Sequence, residues 1–161
     1  MANDKPLPRR LNRRPRLDYS VYGASGHAIH LILGSYRRRP IFHREAPLSR
    51  IVVNTLSESA AESGVKLYAY CLMPDHLHFV ARVEPGGRNL IDFDQVFRQR
   101  LAYDTRDRFP QGLWQRSFYD HVIRDAEDVG EVCMYVVNNP VRKGLVERWE
   151  EYPLTWLSDE A

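Results

Sequence analysis

Apolar and polar positions in the first half of the chain predict a strand, a helix and a β-hairpin. Residues 27–33 (HAIHLIL) form a β-prone run between glycines, which predicts the first strand. Apolar residues recur at helical spacing over residues 47–63, and Gly64 is a typical C-terminal stop for a helix. Two further β-prone runs, residues 65–73 and 76–83, are separated only by Pro-Asp, so they should pair as a hairpin.

The second half of the chain predicts a helix, a strand and another helix. Residues 89–109 carry their apolar positions on one helical face, residues 117–124 are β-prone, and residues 129–139 return to helical spacing before a proline. The tail over residues 141–161 predicts an irregular apolar segment. This order indicates an α+β fold, in which a four-stranded antiparallel sheet is packed by helices on one face, as in ferredoxin-like or RRM-like domains. The other face would be open to hold a site.

The composition is that of one globular domain. The chain has 161 residues, of which 43% are hydrophobic and 27% charged, enough to bury a core. We expect a basic flexible arm over residues 1–20 and a single domain over residues 21–157. There is no apolar run that could cross a membrane and no apolar core of a secretory signal, so we expect a cytoplasmic protein. Neither Cys71 nor Cys133 belongs to a CxxC pair, which argues against a disulfide framework or a thiolate zinc site.

The charge is distributed unevenly along the chain. Residues 1–50 carry 11 Lys and Arg against 3 Asp and Glu, whereas residues 51–161 carry 12 against 18. The positive charge is concentrated in the arm and in the triplet Arg37, Arg38 and Arg39. An arm alone could be a solvated tail, but an arm together with a basic loop is typical of binding to phosphate backbones.

Two histidines at alternate positions of the second hairpin strand indicate a metal half-site. His76 and His78 should face the same side of the sheet, because side chains two apart in a strand point the same way. Two imidazoles suit several divalent metals but leave the coordination sphere incomplete. His30 on the first strand could face the same pocket, although a lone strand histidine is more often a packing residue. Tyr135 and Asn139 are four apart on the last helix, so they share a face and could supply a nucleophile and a carboxamide ligand.

These residues, taken in order, resemble the one-tyrosine HUH transposases, and among them the REP-associated tyrosine transposases. The resemblance is carried by HLH at residues 76–78 after Met-Pro-Asp, YDHVIR at residues 119–124, and YVVNNPVRKGLV at residues 135–146. It extends from about residue 25 to residue 152. The chain departs from the family pattern at Asp75, where Asn is more usual, and at Lys143, where a small residue is more usual.

The resemblance implies a metal-dependent single-stranded DNA endonuclease and strand transferase on an HUH nuclease fold. Tyr135 would form a 5′-phosphotyrosine intermediate, and His76, His78 and Asn139 would hold Mg²⁺ or Mn²⁺. The substrate implied is single-stranded DNA that folds into a hairpin repeat, in a nucleoid-associated setting, bound by a monomer or a homodimer. The arginines that would contact the DNA phosphates are Arg37, Arg38, Arg39 and Arg124. His121 and its neighbour Asp120 would position the sheet or the DNA rather than react.

Two other interpretations stay open. The chain could be a regulatory protein that binds DNA hairpins on the same fold without cutting them. It could also be a metal hydrolase with water as the nucleophile, in which case Tyr135→Phe would leave turnover largely intact. The lack of further Asp, Glu or His at ligand spacing around the two histidines argues against the hydrolase.

Overall fold

An antiparallel sheet flanked by helices forms the centre of the protein. The computed structural model describes residues 17–23, 26–124 and 128–161. Its strands are β1 (Ala28–Ser35), β2 (Val65–Met73), β3 (His76–Val83), β4 (Trp114–Ile123) and β5 (Thr155–Leu157). Its helices are α1 (Pro47–Ser63), α2 (Leu90–Thr105), α3 (Val129–Val137) and the short α4 (Asn139–Arg142). The strand order is β4-β1-β3-β2-β5, so the hairpin strand β3 lies in the middle of the sheet.

The sheet has five strands, so the prediction of four was wrong. The fifth strand, β5, comes from the tail that we expected to be irregular, and it pairs antiparallel with the edge of β2. Three residues are too few to show an alternation of apolar and polar positions in the sequence. Tertiary contacts hold the strand in place, because the Tyr152 hydroxyl donates to the Leu72 carbonyl (3.0 Å) and the Leu72 amide donates to the Leu154 carbonyl (2.9 Å).

The helices lie on both faces of the sheet, so the prediction that they pack on one face was also wrong. Phe79 of β3 meets Phe93 of α2 on the first face, with ring centroids 6.1 Å apart. The face of His30 and His78 is covered instead by α3, which brings the ring of Tyr135 within 6.4 Å of the His30 ring. Helix α3 contacts β2, β3 and β5, and its buried residues are Cys133, Val136 and Val137. Three apolar residues are too few for the sequence to predict that a helix covers this second face of the sheet.

Contacts from distant segments hold in place the turn of the hairpin that carries the two histidines. Backbone hydrogen bonds tie its turn to neighbouring segments, since Ser35 donates to the Asp75 carbonyl (2.9 Å) and Phe42 donates to the Pro74 carbonyl (3.0 Å). The turn is therefore attached to the end of β1. His76 is the first residue of β3, the middle strand of the sheet, so the fixed turn also fixes its position.

The N-terminal side of the fold begins with a short 3-10 turn, Tyr19–Tyr22. Tyr22 is fully buried, and its hydroxyl donates to the carboxylate of Asp120 on β4. Most of the basic arm predicted over residues 1–20 lies outside the described residues, so that prediction and the domain boundary stay predictions. Among the described helices, none combines the length and the apolar character that a membrane span requires.

Candidate active site

Three histidines meet on one face of the sheet because of the register between β1 and β3. Ile32 lies opposite His78 and Gly34 lies opposite His76, so His30 is the diagonal neighbour of His78 on the same face. The ring centroids of His30 and His78 are 5.3 Å apart, and those of His76 and His78 are 4.7 Å apart. All three imidazoles are buried, and His78 is only 2% exposed.

Hydrogen bonds engage one nitrogen of each predicted metal ligand. His76 Nδ1 lies 2.5 Å from Asp75 Oδ1, and His78 Nδ1 lies 3.0 Å from His30 Nε2. The other nitrogen of His78, Nε2, is buried and has no hydrogen-bond partner among the described residues. A buried polar atom without a partner costs roughly 1–3 kcal/mol, so such an atom in a cluster of imidazoles is suited to a metal ion.

The surroundings of the cluster keep its inner histidines uncharged. Burial, together with the nearby charges of His121 and Arg142, lowers the pKa of His30 to about 3. Burial also lowers the pKa of His78 well below its usual value, and His76 and His30 add to the effect. Both rings are therefore neutral at physiological pH, which is the form in which imidazole binds a metal.

Helix α3 presents Tyr135 at the edge of this cluster. Asp128 caps the N-terminus of the helix, because its side chain accepts a hydrogen bond of 2.7 Å from the Gly130 amide. Its apolar side packs on the sheet, while Tyr135 is 45% exposed. The hydroxyl of Tyr135 is thus on a side chain that borders the histidines and is also open to a substrate.

The end of α3 joins three polar groups into one unit. The Asn139 amide donates to the Val136 carbonyl at 3.0 Å, which holds the carboxamide against the helix end. The guanidinium carbon of Arg142 lies 3.8 Å from the centroid of the Tyr135 ring, a cation–π contact. Arg142 also donates to the Tyr135 carbonyl (2.8 Å) and to Asn139 Oδ1 (2.9 Å). Tyr135 and Asn139 are therefore both oriented by the same side chain.

The donor set fits a divalent metal ion only if the carboxamide takes part. No group of three or more His, Cys, Asp or Glu side chains within residues 17–23, 26–124 and 128–161 could hold a metal ion. His76 and His78 offer two nitrogens, which leaves a carboxamide oxygen as a candidate for a third protein ligand. Asn139 Oδ1 accepts from Arg142 through one lone pair and keeps a second one.

The predicted DNA-binding arginines are separated in the structure. Arg38 contacts Asp75 (3.1 Å), and Asp75 in turn contacts His76 of the cluster. Arg37 stacks on the ring of Tyr36 and, like Arg39, is exposed. Arg124 follows the far end of β4, which pairs with the start of β1, so it lies at the opposite end of this strand pair.

Three contributors to the site were not assigned a role from sequence. His30 was left open, and Arg142 and Asp75 were noted only as part of the family pattern. Arg142 lies on α4, beyond the break after α3, so helical spacing from Tyr135 does not predict its contacts. The contacts of His30 and Asp75 depend on strand register and turn geometry, which the sequence does not reveal.

Comparisons with known proteins fit this arrangement. Residues 24–139, which include the three histidines, Tyr135 and Asn139, match the family model described as "Transposase IS200 like". A Haemophilus influenzae protein assigned to the REP-associated tyrosine transposases is 29% identical over an alignment of 96 residues, and the alignment covers 53% of this chain and 54% of the relative. The REP-associated tyrosine transposase of Escherichia coli K12 is 26% identical over 90 residues, which are 56% of this chain and 53% of the relative.

The chain spans about half the length of the curated relatives that it matches. The same fold occurs in the solved structure of a REP-associated tyrosine transposase bound to a REP hairpin. That structure superimposes with a TM-score of 0.67 at 18% sequence identity, over 83% of this chain and 78% of the other.

Proposed function

The chain belongs to the IS200-like transposase family, and from this membership we propose that it cleaves and joins single-stranded DNA next to hairpin-forming repeats. The proposal includes a dependence on Mg²⁺ or Mn²⁺ and a covalent intermediate on Tyr135. The single observation that carries it is the meeting of the half-exposed Tyr135 with a buried imidazole cluster in which His78 Nε2 has no hydrogen-bond partner among the described residues.

The proposed reaction is a transesterification at phosphorus. The hydroxyl oxygen of Tyr135 attacks the scissile phosphodiester, and the bond between phosphorus and the 3′-oxygen breaks. The 5′-phosphate becomes attached to Tyr135. The phenol loses one proton and the leaving 3′-oxygen gains one, so the products are a phosphotyrosine and a free 3′-hydroxyl. Attack by that hydroxyl reverses the step and reseals the original strand, whereas attack by the 3′-hydroxyl of another strand joins the two strands. In either case the bond between phosphorus and the Tyr135 oxygen breaks, and the phenol regains a proton as the attacking hydroxyl loses one.

The roles of the site residues follow from the groups that they present. His76, His78 and Asn139 would hold the divalent ion, which when bound supplies Lewis-acid polarisation of the scissile phosphate. Asp75 fixes the ring of His76 through Nδ1 and leaves Nε2 for the ion. Arg142 holds the ring of Tyr135 and the carboxamide of Asn139 in one arrangement. The fork of its guanidinium is also suited to an oxygen of the scissile phosphate.

The substrate class follows from the relatives and from the charge distribution. The similar solved structure is a transposase bound to a REP hairpin, which supports a folded single strand as the ligand of this chain. Arg37, Arg38 and Arg39 would bind phosphates near the end of β1, where Arg38 reaches Asp75. Most of the affinity would then be electrostatic and would fall with salt.

The test is a gel assay for a covalent adduct between protein and DNA. End-labelled single-stranded hairpins with flanking sequence are incubated with the chain in Mg²⁺, in Mn²⁺ or with a chelator. Wild type should form a metal-dependent adduct, and Tyr135→Phe should form none. The matched control is Tyr103→Phe, because Tyr103 is another exposed helical tyrosine that lies beneath an arginine, Arg106, at 4.3 Å. This control should keep the adduct.

The other outcomes separate the alternative functions. Cleavage that persists in Tyr135→Phe would indicate a hydrolase with water as nucleophile. Hairpin binding without cleavage in any metal would indicate a regulatory DNA-binding protein. Either result would overturn the proposed transesterification.

A further inference from the structure

We propose that His30 is a positioning residue that holds His78 in the tautomer whose Nε2 can bind a metal ion. The inference rests on the metal site of the proposed function and extends it to a side chain outside the ligand set. The observation behind it is the contact between His30 Nε2 and His78 Nδ1, at 3.0 Å in the interior of the sheet face.

The fold makes this contact specific. His30 and His78 are on adjacent strands with a fixed antiparallel register, and their rings are nearly parallel, with an interplanar angle of 22°. Both side chains are buried, so water does not compete for the nitrogens. The ring of Tyr135 closes the same space from the side of α3. The fold thus holds His30 Nε2 as the hydrogen-bond partner of His78 Nδ1 in this interior.

The tautomers of the two neutral rings then depend on each other. A neutral imidazole carries a hydrogen on one nitrogen and a lone pair on the other. If His78 donates from Nδ1 to His30 Nε2, its own Nε2 has a lone pair available for a metal ion. If His30 donates instead, His78 Nε2 carries a hydrogen and becomes a buried donor that has no partner among the described residues. That second arrangement leaves the desolvation of the donor uncompensated and prevents metal binding.

The role assigned to His30 is therefore that of a hydrogen-bond acceptor. Outer partners of this kind fix the ring orientation and tautomer of a metal-binding histidine, and their loss typically lowers metal affinity 10–100-fold. The requirement is an acceptor at the position of His30 Nε2 rather than an imidazole as such. This distinguishes the proposal from a packing role, which an apolar side chain of similar size would fill.

The experiment compares His30→Gln with His30→Leu. The glutamine places an amide oxygen near the position of Nε2 and retains the acceptor, whereas the leucine fills the space without one. Binding of Mn²⁺ is followed by electron paramagnetic resonance of the free ion on the whole chain without DNA. We expect His30→Leu to bind Mn²⁺ roughly 10–100-fold more weakly than wild type. We expect His30→Gln to stay within about threefold of wild type, because it preserves the acceptor.

Controls separate this inference from the proposed function on which it rests. His43→Leu removes an exposed histidine that is not one of the three clustered imidazoles, and it should leave Mn²⁺ binding unchanged. If the metal site is correct, wild type binds Mn²⁺ at a saturable site and His76→Ala loses that site. Failure of either expectation would overturn the metal site itself. Normal binding by His30→Leu, or equal weakening in both His30 variants, would overturn only the acceptor role of His30.

A second measurement does not depend on the folding of any variant. The ¹⁵N resonances of His78 in the wild-type chain, kept free of metal ions with a chelator, report which ring nitrogen is protonated. Protonation at Nδ1 is the expected result. Protonation at Nε2 would overturn the proposal.

Discussion

At the scale of single residues, Arg142 links the two reactive groups of the candidate site. Its guanidinium covers the ring of Tyr135 and at the same time donates to the carboxamide oxygen of Asn139. Only a planar group with several donors in a fork can make both contacts together. Lysine keeps the positive charge but cannot reproduce this geometry.

We expect Arg142→Lys to slow formation of the Tyr135 adduct by about tenfold or more. The reason is the loss of a hydrogen bond from a charged group, worth about 1.5–3 kcal/mol, of which each 1.4 kcal/mol corresponds to a factor of ten. Initial rates of adduct formation at saturating hairpin DNA and Mg²⁺ measure the effect. The control is Arg106→Lys, since Arg106 lies over the ring of Tyr103 but far from the cluster in the chain. Equal rates in wild type and Arg142→Lys would show that the fork is dispensable.

Residues whose roles follow from local periodicity could be predicted from the sequence. The shared face of His76 and His78 follows from alternation in a strand, and that of Tyr135 and Asn139 follows from helical spacing. The partners of these groups could not be predicted in the same way. The contact of His30 with His78 requires the register between two strands that are distant in sequence, and no local pattern fixes that register.

At the scale of secondary-structure elements, two loops of the fold are in backbone contact, one after α1 and one after β3. Gly64 ends α1 in the left-handed region, with φ of 64°, and its carbonyl accepts a hydrogen bond of 3.0 Å from the Glu84 amide. Gly87 lies in the turn after β3, against Gly64. The contact joins the connection between α1 and β2 to the connection between β3 and α2. Of these elements, β2 and β3 are strands of the sheet, and α1 packs against α2, which covers the face opposite the histidines.

We expect Gly87→Ala to lower the free energy of unfolding by about 2–3 kcal/mol, near the upper end of overpacking costs. A methyl group on Gly87 would lie only 2.2 Å from the Gly64 carbonyl oxygen, and that oxygen is backbone and cannot rotate away. The control is the adjacent Gly86→Ala, where φ is 79° but nothing lies within 4 Å of the added carbon. It should cost about 1 kcal/mol for the left-handed backbone alone. Chemical denaturation checks both, and similar losses in the two variants would contradict the steric argument.

Elements with a long periodic pattern could be predicted, and those that depend on tertiary contacts could not. The long helix α1 and the hairpin strands β2 and β3 agree with the predicted ranges. Strand β5 is too short for a pattern, and β2 contains an irregularity between Leu67 and Ala69 that inserts one residue and changes which side chains face α3. The path of the chain across the sheet determines the face on which α3 packs. The nine residues of α3 alone do not determine that path.

At the scale of the whole molecule, the position of the charges in the fold is more informative than the net charge. The net charge is only +2, yet the first 50 residues carry a large excess of Lys and Arg. The described part of this excess includes the loop that follows β1, where Arg37 and Arg39 are exposed and Arg38 reaches Asp75. A phosphate backbone drawn to this loop would approach the end of β3 that carries His76. The loop would therefore contribute to the position of DNA as well as to affinity.

This charge arrangement predicts how hairpin binding depends on salt. Each phosphate contact adds about 0.7 to 0.9 to the slope of log affinity against log salt concentration. Arg37→Gln and Arg39→Gln should each reduce the slope by about this amount and weaken binding to all hairpin sequences alike. Arg38 is left unchanged, because its contact with Asp75 would mix a loss of charge with a disturbance of His76.

The control variant and the measurement make the prediction specific to the loop. Arg50 is exposed on α1, which packs against α2 rather than on the histidine face, so Arg50→Gln removes the same charge at a different place. Fluorescence anisotropy with a labelled hairpin over a series of salt concentrations gives the slope for each variant. If net charge alone governed binding, all three variants would change affinity equally, since each lowers the net charge by one. A slope that falls for Arg37→Gln and Arg39→Gln but not for Arg50→Gln would place the phosphate path along the loop after β1.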